Sequence, residues 1–391
     1  MKVPCWNSMK NKHKVIFLIN DLGIGGAEKV LVTLMPFLRQ KCVNHELVVM
    51  LVENKVAFKD LPFSVEALGP YYTKKTLFKK ITLSIKAIIK LRKYIKNNDV
   101  ETVISFLAFS NFINIICKFL GVNHKSHICI HSTYEYFQKK QFRRKLTKFA
   151  IDRLYPFADL IVSVSEMVEK SYRENIQYQC KSIVINNPFD IKAIQRKALE
   201  SEDEIPSKSY IVIVGRLHEV KRQVDLIKAY AKLPFELKQK FSLLIIGYGS
   251  KKNELVNQAK ILNVMENVLF IDHTDNPYYY IKHAKVVCLT SQNEAFPMVI
   301  PEAMICKTPV ISSNCDHGPR DILEDGKLGD LYEVGNIIEL TKLLKKHLSD
   351  SLFNEQKVEL AYKAVQKLDV DTVSDLYVKS VILRSEDNDN E

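Results

Sequence analysis

The sequence predicts an α/β protein of two domains, each built on a doubly wound parallel sheet. Three observations carry that prediction. Short apolar runs of strand length alternate with amphipathic stretches of helix length along most of the chain. The alternation lapses over residues 190–208, which are charged and lack a strand period, and then resumes. The chain has 391 residues, enough for two or three cores, and is 47% apolar and 26% charged, as soluble globular proteins are. The boundaries that follow are 1–188 for the first domain, 189–370 for the second, and 371–391 for a terminal helix and acidic tail.

Residues 13–20 form the first expected strand, and DLGIGG at 21–26 turns tightly into an amphipathic helix over 27–38. Residues 46–52 are a second strand. A basic amphipathic helix is expected over 81–96, with Ile81, Ile85, Ile88 and Ile95 near one face and Lys86, Lys90, Lys93 and Lys96 toward another. Strand 103–107 leads into helix 112–120, strand 126–131 into a basic helix over 137–149, and strand 160–165 into a further helix. Residues 182–187 then run into Pro188. The second series reads strand 210–215, helix 222–233, strand 241–247, helix 252–262, strand 268–271, helix 277–283, strand 286–290, helix 298–306 and strand 309–312. Helices at 340–348 and 353–368 precede a last one over 371–384, and the acidic tail 385–391 is expected to be disordered. No repeat of solenoid period is present. Two such units imply a cleft between them, and sheets of this kind bind ligands at the carboxyl ends of their strands.

The charge is unevenly divided. Residues 1–200 hold 33 Lys and Arg against 16 Asp and Glu, and residues 201–391 hold 24 against 29, so the halves carry +17 and −5. A basic first half suits an anionic partner. No apolar run approaches the roughly 18–20 residues of a membrane span. The apolar run at 15–20 is too short for a signal-peptide core and has no small-residue cleavage site behind it, so it reads as a strand after a frayed leader. The eight cysteines form no CxxC pair, and several sit in apolar runs, which fits reduced core thiols in a cytoplasmic protein.

The most informative stretch is VVCLTSQNEAFPMVIPEAM at 286–304. A buried strand, a polar loop ending in proline and the first turn of a helix bring unpaired N–H groups into one concave spot, which suits an anion. Pro301 is tolerated because it falls near that first turn. Glu294 and Glu302 flank the spot, and each carboxylate can accept two hydrogen bonds side by side from neighbouring hydroxyls. Phosphate at the amides and sugar at the carboxylates describe a nucleotide-sugar site. VGRLHEVK at 214–221 follows a strand and precedes a helix, so Arg216 and Lys221 can both reach the cleft. Fixed cations there would stabilise a departing diphosphate as its charge develops; two solvated surface cations are the plain alternative. Gly25 and Gly26 let backbone approach a ligand at the start of the first helix. Their spacing is not GxGxxG, and Glu53 is a poor match for a ribose-binding acid, so a dinucleotide site is disfavoured.

The segments NDLGIGGAEKVLV, ADLIVSVSE, INNPFD, VGRLHEVKRQVDLIKAY, LLIIGYG, NPYYYIKHA, SQNEAFPMVIPEAM and GPRDILEDGKLGDL together resemble glycosyltransferase family 4, in family order over nearly the whole chain. The resemblance implies two Rossmann-like domains facing across a cleft (the GT-B fold), a nucleotide-sugar donor, retention of anomeric configuration, and no metal or other cofactor. It implies that Arg216 and Lys221 hold the donor diphosphate, Glu302 the ribose hydroxyls and Glu294 the donor sugar as a catalytic contact. The amides of Ala295, Phe296, Pro297 and Met298 would line sugar and phosphate, with Gly25 and Gly26 approaching the donor from the other domain. Ala295 stands where the family often has glycine, and its methyl group would narrow the sugar pocket. His131, ending a first-domain strand, matches a cleft histidine of the family, with a packing histidine as the alternative; His273, in the loop after 268–271, reads either as lining the nucleobase pocket or as a surface loop histidine. Asp369-Val-Asp371 is formally DxD but precedes the last helix, where Asp371 serves as an N-cap.

The expected partners are a nucleotide-sugar donor, a glycan acceptor that is lipid-linked, and an anionic membrane surface met by the basic first domain. Lys74, Lys75, Lys79 and Lys80, the helix over 81–96, and Lys139, Lys140, Arg143, Arg144, Lys145 and Lys148 supply that charge. No stacking platform for nucleic acid is apparent. The function expected is a hexosyl or N-acetylhexosaminyl transferase of O-antigen, capsule or related surface glycan, at the cytoplasmic face of the membrane. A sugar-nucleotide epimerase of similar fold is the alternative reading, and a silent glycan-binding relative a third.

Overall fold

The computed structural model describes residues 13–23, 25–71, 77–138, 142–200, 206–315, 318–350 and 355–383. The expected leader and acidic tail, Lys74, Lys75, Lys139 and Lys140 lie outside the described residues, as do the side chains of Lys79, Lys80 and Arg143. The chain divides into two compact units, Met1–Pro188 with Val370–Glu391, and Phe189–Asp369.

The first unit is built on a seven-stranded sheet of β1 (His13–Ile19), β2 (His45–Glu53), β3 (Val65–Gly69), β4 (Val100–Phe106), β5 (Lys125–Ile130), β6 (Leu160–Ser163) and β7 (Lys181–Val184). Their order is β3-β2-β1-β4-β5-β6-β7 and every pairing is parallel. Val15 to Ile19 are all buried, as a central strand covered on both faces requires. The helix Gly26–Lys41 follows β1 and buries Val30, Leu31, Leu34, Met35 and Leu38 along one stripe. The edge strand β3 went unpredicted because VEALG is short and its apolar run is broken by Glu66.

The basic helix spans Leu77–Asn97, and its buried stripe is the expected one only in part: Ile95 is buried and Ile88 packs against the core, whereas Ile81 and Ile85 face outward. Leu83, Ala87, Leu91 and Ile95 enter the core, where they share a cluster with Ile16, Leu18 and Met50. Ile81, Ile85 and Ile89 are 50%, 51% and 60% exposed. They sit two residues before the buried positions, about 200° round the helix. Both stripes are apolar, so periodicity could not choose between them. The basic helix expected over 137–149 is two helices, Glu135–Gln138 and Phe142–Leu154.

The terminal helix Val370–Tyr377 belongs to the first unit. Asp371 lies inside its first turn rather than capping it, and pairs with Lys41 on the first helix at 2.9 Å, beside Asp375 at 2.5 Å. The DxD pattern is thus a helix start and a surface ion pair. Among the described residues no group of three or more His, Cys, Asp or Glu side chains is placed to hold a metal ion, and no helix is long and apolar enough to cross a membrane.

The second unit carries a six-stranded sheet of β8 (Ser209–Val214), β9 (Phe241–Ile246), β10 (Val268–Ile271), β11 (Val286–Leu289), β12 (Val310–Ser313) and β13 (Asp330–Tyr332). Its order, β10-β9-β8-β11-β12-β13, repeats the first unit's winding strand for strand, again wholly parallel. Ile211, Ile213, Leu243, Ile245, Val286 and Ile311 form the centre of its core.

Candidate active site

Each sheet reverses its winding at one place, between β1 and β4 and between β8 and β11. Loops leaving the carboxyl ends of two such strands diverge and open a crevice. In the second unit these are the loops after β8 and after β11, and they carry Arg216 and Lys221 on one side and residues 294–298 on the other.

Backbone and hydroxyl bonds lace the two loops together. Gln292 N donates to Val220 O at 2.8 Å, and Thr290 Oγ1 donates to Lys221 O at 2.7 Å. Ser313 Oγ donates to Ser291 O at 2.7 Å and ties in the end of β12. Across this lacing Lys221 Nζ donates to Glu294 Oε1 at 2.5 Å. Ser291 Oγ donates to the same oxygen at 2.6 Å. Both side chains are partly shielded, Lys221 at 25% and Glu294 at 12% exposure, so the pair is screened less than a surface pair. Arg216 is exposed, and its guanidinium has no ion-pair partner among the described residues. Its carbonyl is held by Gln223 Nε2 at 2.9 Å.

Two glycines hold the Arg216 loop by close backbone approach. Gly215 N donates to Ile246 O and Leu217 N to Tyr248 O, each at 2.9 Å, so β8–β9 pairing runs on past the strands. A Cβ on Gly247 would lie 2.0 Å from Gly215 O, and one on Gly249 2.2 Å from Leu217 O. Both glycines also have positive φ, +144° and +156°. The GYG run after a strand was the available signal for these positions.

The loop after β11 is anchored by its buried members and displays the others. Phe296 is buried, with its ring 6.4 Å from that of buried Phe189. Pro297 is buried, whereas Glu294, Ala295 and Met298 are half-buried. Gly318 (φ +51°) packs against the same loop, where a Cβ would meet Pro297 Cδ at 2.8 Å. Glu302 lies in the first turn of the helix Val299–Ile305 and is 5% exposed; a carboxylate at that depth must be hydrogen-bonded. Sequence reasoning missed Thr290, Ser291 and Gln223, of which Thr290 acts through a partner distant in sequence and the other two through loop geometry within three to seven residues. His273 is exposed and bonds Asp275 at 3.0 Å.

Gly25, Gly26 and His131 lie at the carboxyl edge of the first unit's sheet. Gly25 caps the first helix from extended backbone, and a Cβ there would lie 2.2 Å from Glu28 Oε2. At the switch point, Asn20 Oδ1 accepts from Ser110 N at 3.0 Å and from Ser110 Oγ at 2.6 Å. His131 follows β5 with its ring stacked on Phe106, centroids 5.5 Å apart. Its Nε2 is buried without a hydrogen-bond partner among the described residues. Burial pushes the imidazole down to about 4, so it is neutral at pH 7.

Comparison with known proteins gives matches along the whole described fold. The family model described as Glycosyltransferase Family 4 matches residues 24–193, and that described as Glycosyl transferases group 1 matches residues 195–367. A Campylobacter jejuni N-acetylgalactosamine-N,N'-diacetylbacillosaminyl-diphospho-undecaprenol 4-alpha-N-acetylgalactosaminyltransferase is 31% identical, over 90% of this chain and 93% of its own. The same organism's GalNAc-alpha-(1->4)-GalNAc-alpha-(1->3)-diNAcBac-PP-undecaprenol alpha-1,4-N-acetyl-D-galactosaminyltransferase is 28% identical, over 94% of this chain and 98% of its own. Among solved structures, Anabaena Alr3699/HepE in complex with UDP and glucose superposes with a TM-score of 0.78, covering 94% of this chain and 99% of that one. At 21% identity that likeness is one of fold.

Proposed function

The chain belongs to glycosyltransferase family 4, and on that premise we propose that it moves an N-acetylhexosamine or hexose, with retention, from a UDP-sugar to a lipid-linked saccharide in surface-glycan synthesis. The observation that carries the reading is the second unit's switch point, where the loop that bears exposed Arg216 also bears Lys221, paired with Glu294. The two Campylobacter relatives, by their names, transfer N-acetylgalactosamine to undecaprenol-linked saccharides, which supports that sugar class and acceptor.

In this reading Arg216 and Lys221 bind the diphosphate and stabilise the charge it gains as the glycosidic bond breaks. Glu294 orients the sugar hydroxyls, Glu302 the ribose, and the backbone of Ala295, Phe296, Pro297 and Met298 the sugar and phosphate. His131, neutral, donates or accepts a hydrogen bond at the sugar, and Gly25–Gly26 leave room for donor phosphate. The departing phosphate takes the acceptor's proton on the face it leaves. The protein's part is orientation and electrostatics, with no metal ion required.

We further propose that the first unit rests on an anionic membrane at its cytoplasmic face. Exposed Lys86, Lys90 and Lys93 share the helix Leu77–Asn97 with exposed Ile81, Ile85 and Ile89, a pairing of charge and apolar surface suited to a lipid interface. Incubation with a panel of UDP-sugars and a polyprenyl-diphosphate-linked saccharide, read by mass spectrometry, tests the reading. Extension of the lipid-linked saccharide by one sugar is the expected result. Epimerised nucleotide sugar with no extension would overturn it.

A further inference from the structure

Arg216 and Lys221 are not equivalent. The guanidinium of Arg216 has no ion-pair partner among the described residues, whereas the ammonium of Lys221 is already neutralised by Glu294. The two bonds to Glu294 both fall on Oε1, from Lys221 at 2.5 Å and Ser291 at 2.6 Å. The donors come from different loops, held in register by the Thr290–Lys221 and Gln292–Val220 bonds. The pair is thus built into the fold and is not a chance meeting of mobile side chains.

We propose that Glu294 is the internal counter-ion of Lys221, and that a nucleoside diphosphate must displace it. This rests on the reading that Lys221 binds diphosphate. An incoming diphosphate competes with one carboxylate for one ammonium and brings negative charge close to Glu294. Drawing Lys221 toward phosphate strips Glu294 Oε1 of its cationic partner. A sugar on the diphosphate repairs that loss, because its hydroxyls donate to the freed carboxylate. A bare nucleoside diphosphate cannot. The exchange couples the two ends of the donor site: the product nucleotide is held less tightly than its charge alone would allow, and the sugar-bearing donor is favoured over it.

Calorimetric titration of UDP into the wild type, Lys221→Ala, Glu294→Gln and the double variant tests this. Replacing the carboxylate by its neutral isostere removes both competitor and repulsion, so Glu294→Gln should bind UDP on the order of tenfold more tightly than wild type. Lys221→Ala should bind UDP on the order of tenfold more weakly. In the Lys221→Ala background the gain from Glu294→Gln should shrink, giving a measurable coupling. Glu294→Ala, which gives the same sign, replaces Glu294→Gln should that variant fail to fold. If Lys221→Ala weakens UDP while both Glu294 variants bind it no better than wild type, the exchange is overturned and the diphosphate site stands. If Lys221→Ala binds UDP as the wild type does, the diphosphate assignment falls and the exchange with it.

Discussion

The two sheets share one strand order over six strands, yet their carboxyl edges differ in how charge is arranged. The second unit's edge is ionic, with Arg216, Lys221 and Glu294 on loops stitched together by four hydroxyl and backbone bonds among 220, 221, 290, 291, 292, 294 and 313. At the first unit's switch point stand glycine, the Asn20–Ser110 bond and an uncharged His131 on an aromatic stack, with the charges of the Lys55–Asp21 pair and buried Glu53 nearby at the ends of β1 and β2. Net charge runs the other way, because the first half is the basic one. The comparison separates two uses of charge. A few fixed charges at a switch point can act on one ligand, whereas many dispersed lysines act on an extended surface.

The largest expected effect falls on the ionic edge. Glu294→Ala should lower the transfer rate by about 10²-fold or more, as removal of one preorganised polar group commonly does. Its urea unfolding curve should stay near wild type, since Glu294 is not in a core cluster. Near wild-type transfer would break the contrast. Next comes the backbone approach that holds Arg216. Gly247→Ala puts a Cβ 2.0 Å from Gly215 O at positive φ. Denaturant unfolding should show it destabilised by about 1–3 kcal/mol or more, and an unchanged midpoint would mean the loops are not tightly laced.

A smaller effect tests the uncharged histidine at the first unit's edge. Burial holds His131 near 4, below the 6.5 of an ordinary histidine. The folded state resists the proton and the unfolded state accepts it, so stability contributed by His131 is present above pH 6.5 and declines as pH falls from there toward 4. NMR of the imidazole, assigned by its absence in His131→Gln, should show a midpoint near 4; a midpoint near 6.5 would place the ring in water. The smallest single-residue effects are expected on the exposed isoleucines. Ile81→Ser, Ile85→Ser and Ile89→Ser should each weaken flotation with anionic vesicles, by about 1–2 kcal/mol per side chain, without lowering stability. Equal binding by the triple variant would refute insertion and leave only electrostatics, which no binding at low salt would refute in turn.

The alternation of strand and helix is legible in the sequence because central parallel strands are buried on both faces and read as unbroken apolar runs such as VIFLI at 15–19. The edge strands β3 and β13, with five and three residues, carry too little pattern to be read. The helix Leu77–Asn97 was legible as a helix, but its inward face only in part, because it has two apolar stripes and only the fold decides which is buried. At the candidate site, charged residues stand out by type and spacing, so Arg216, Lys221, Glu294 and Glu302 could be named. That Lys221 and Glu294 touch could not be read, because 73 residues separate them and the register of two loops brings them together. Thr290, bonded to Lys221 69 residues away, escaped notice for the same reason.

The central claim is that the second unit's edge stabilises a departing diphosphate, and Arg216 is an exposed cation there with no ion-pair partner among the described residues. The most direct measurement is single-turnover transfer from UDP-N-acetylgalactosamine to a polyprenyl-diphosphate-linked saccharide, at saturating donor, for wild type and Arg216→Ala. The account predicts a rate about 10²-fold lower in the variant, with folding unchanged. Transfer at the wild-type rate would contradict it.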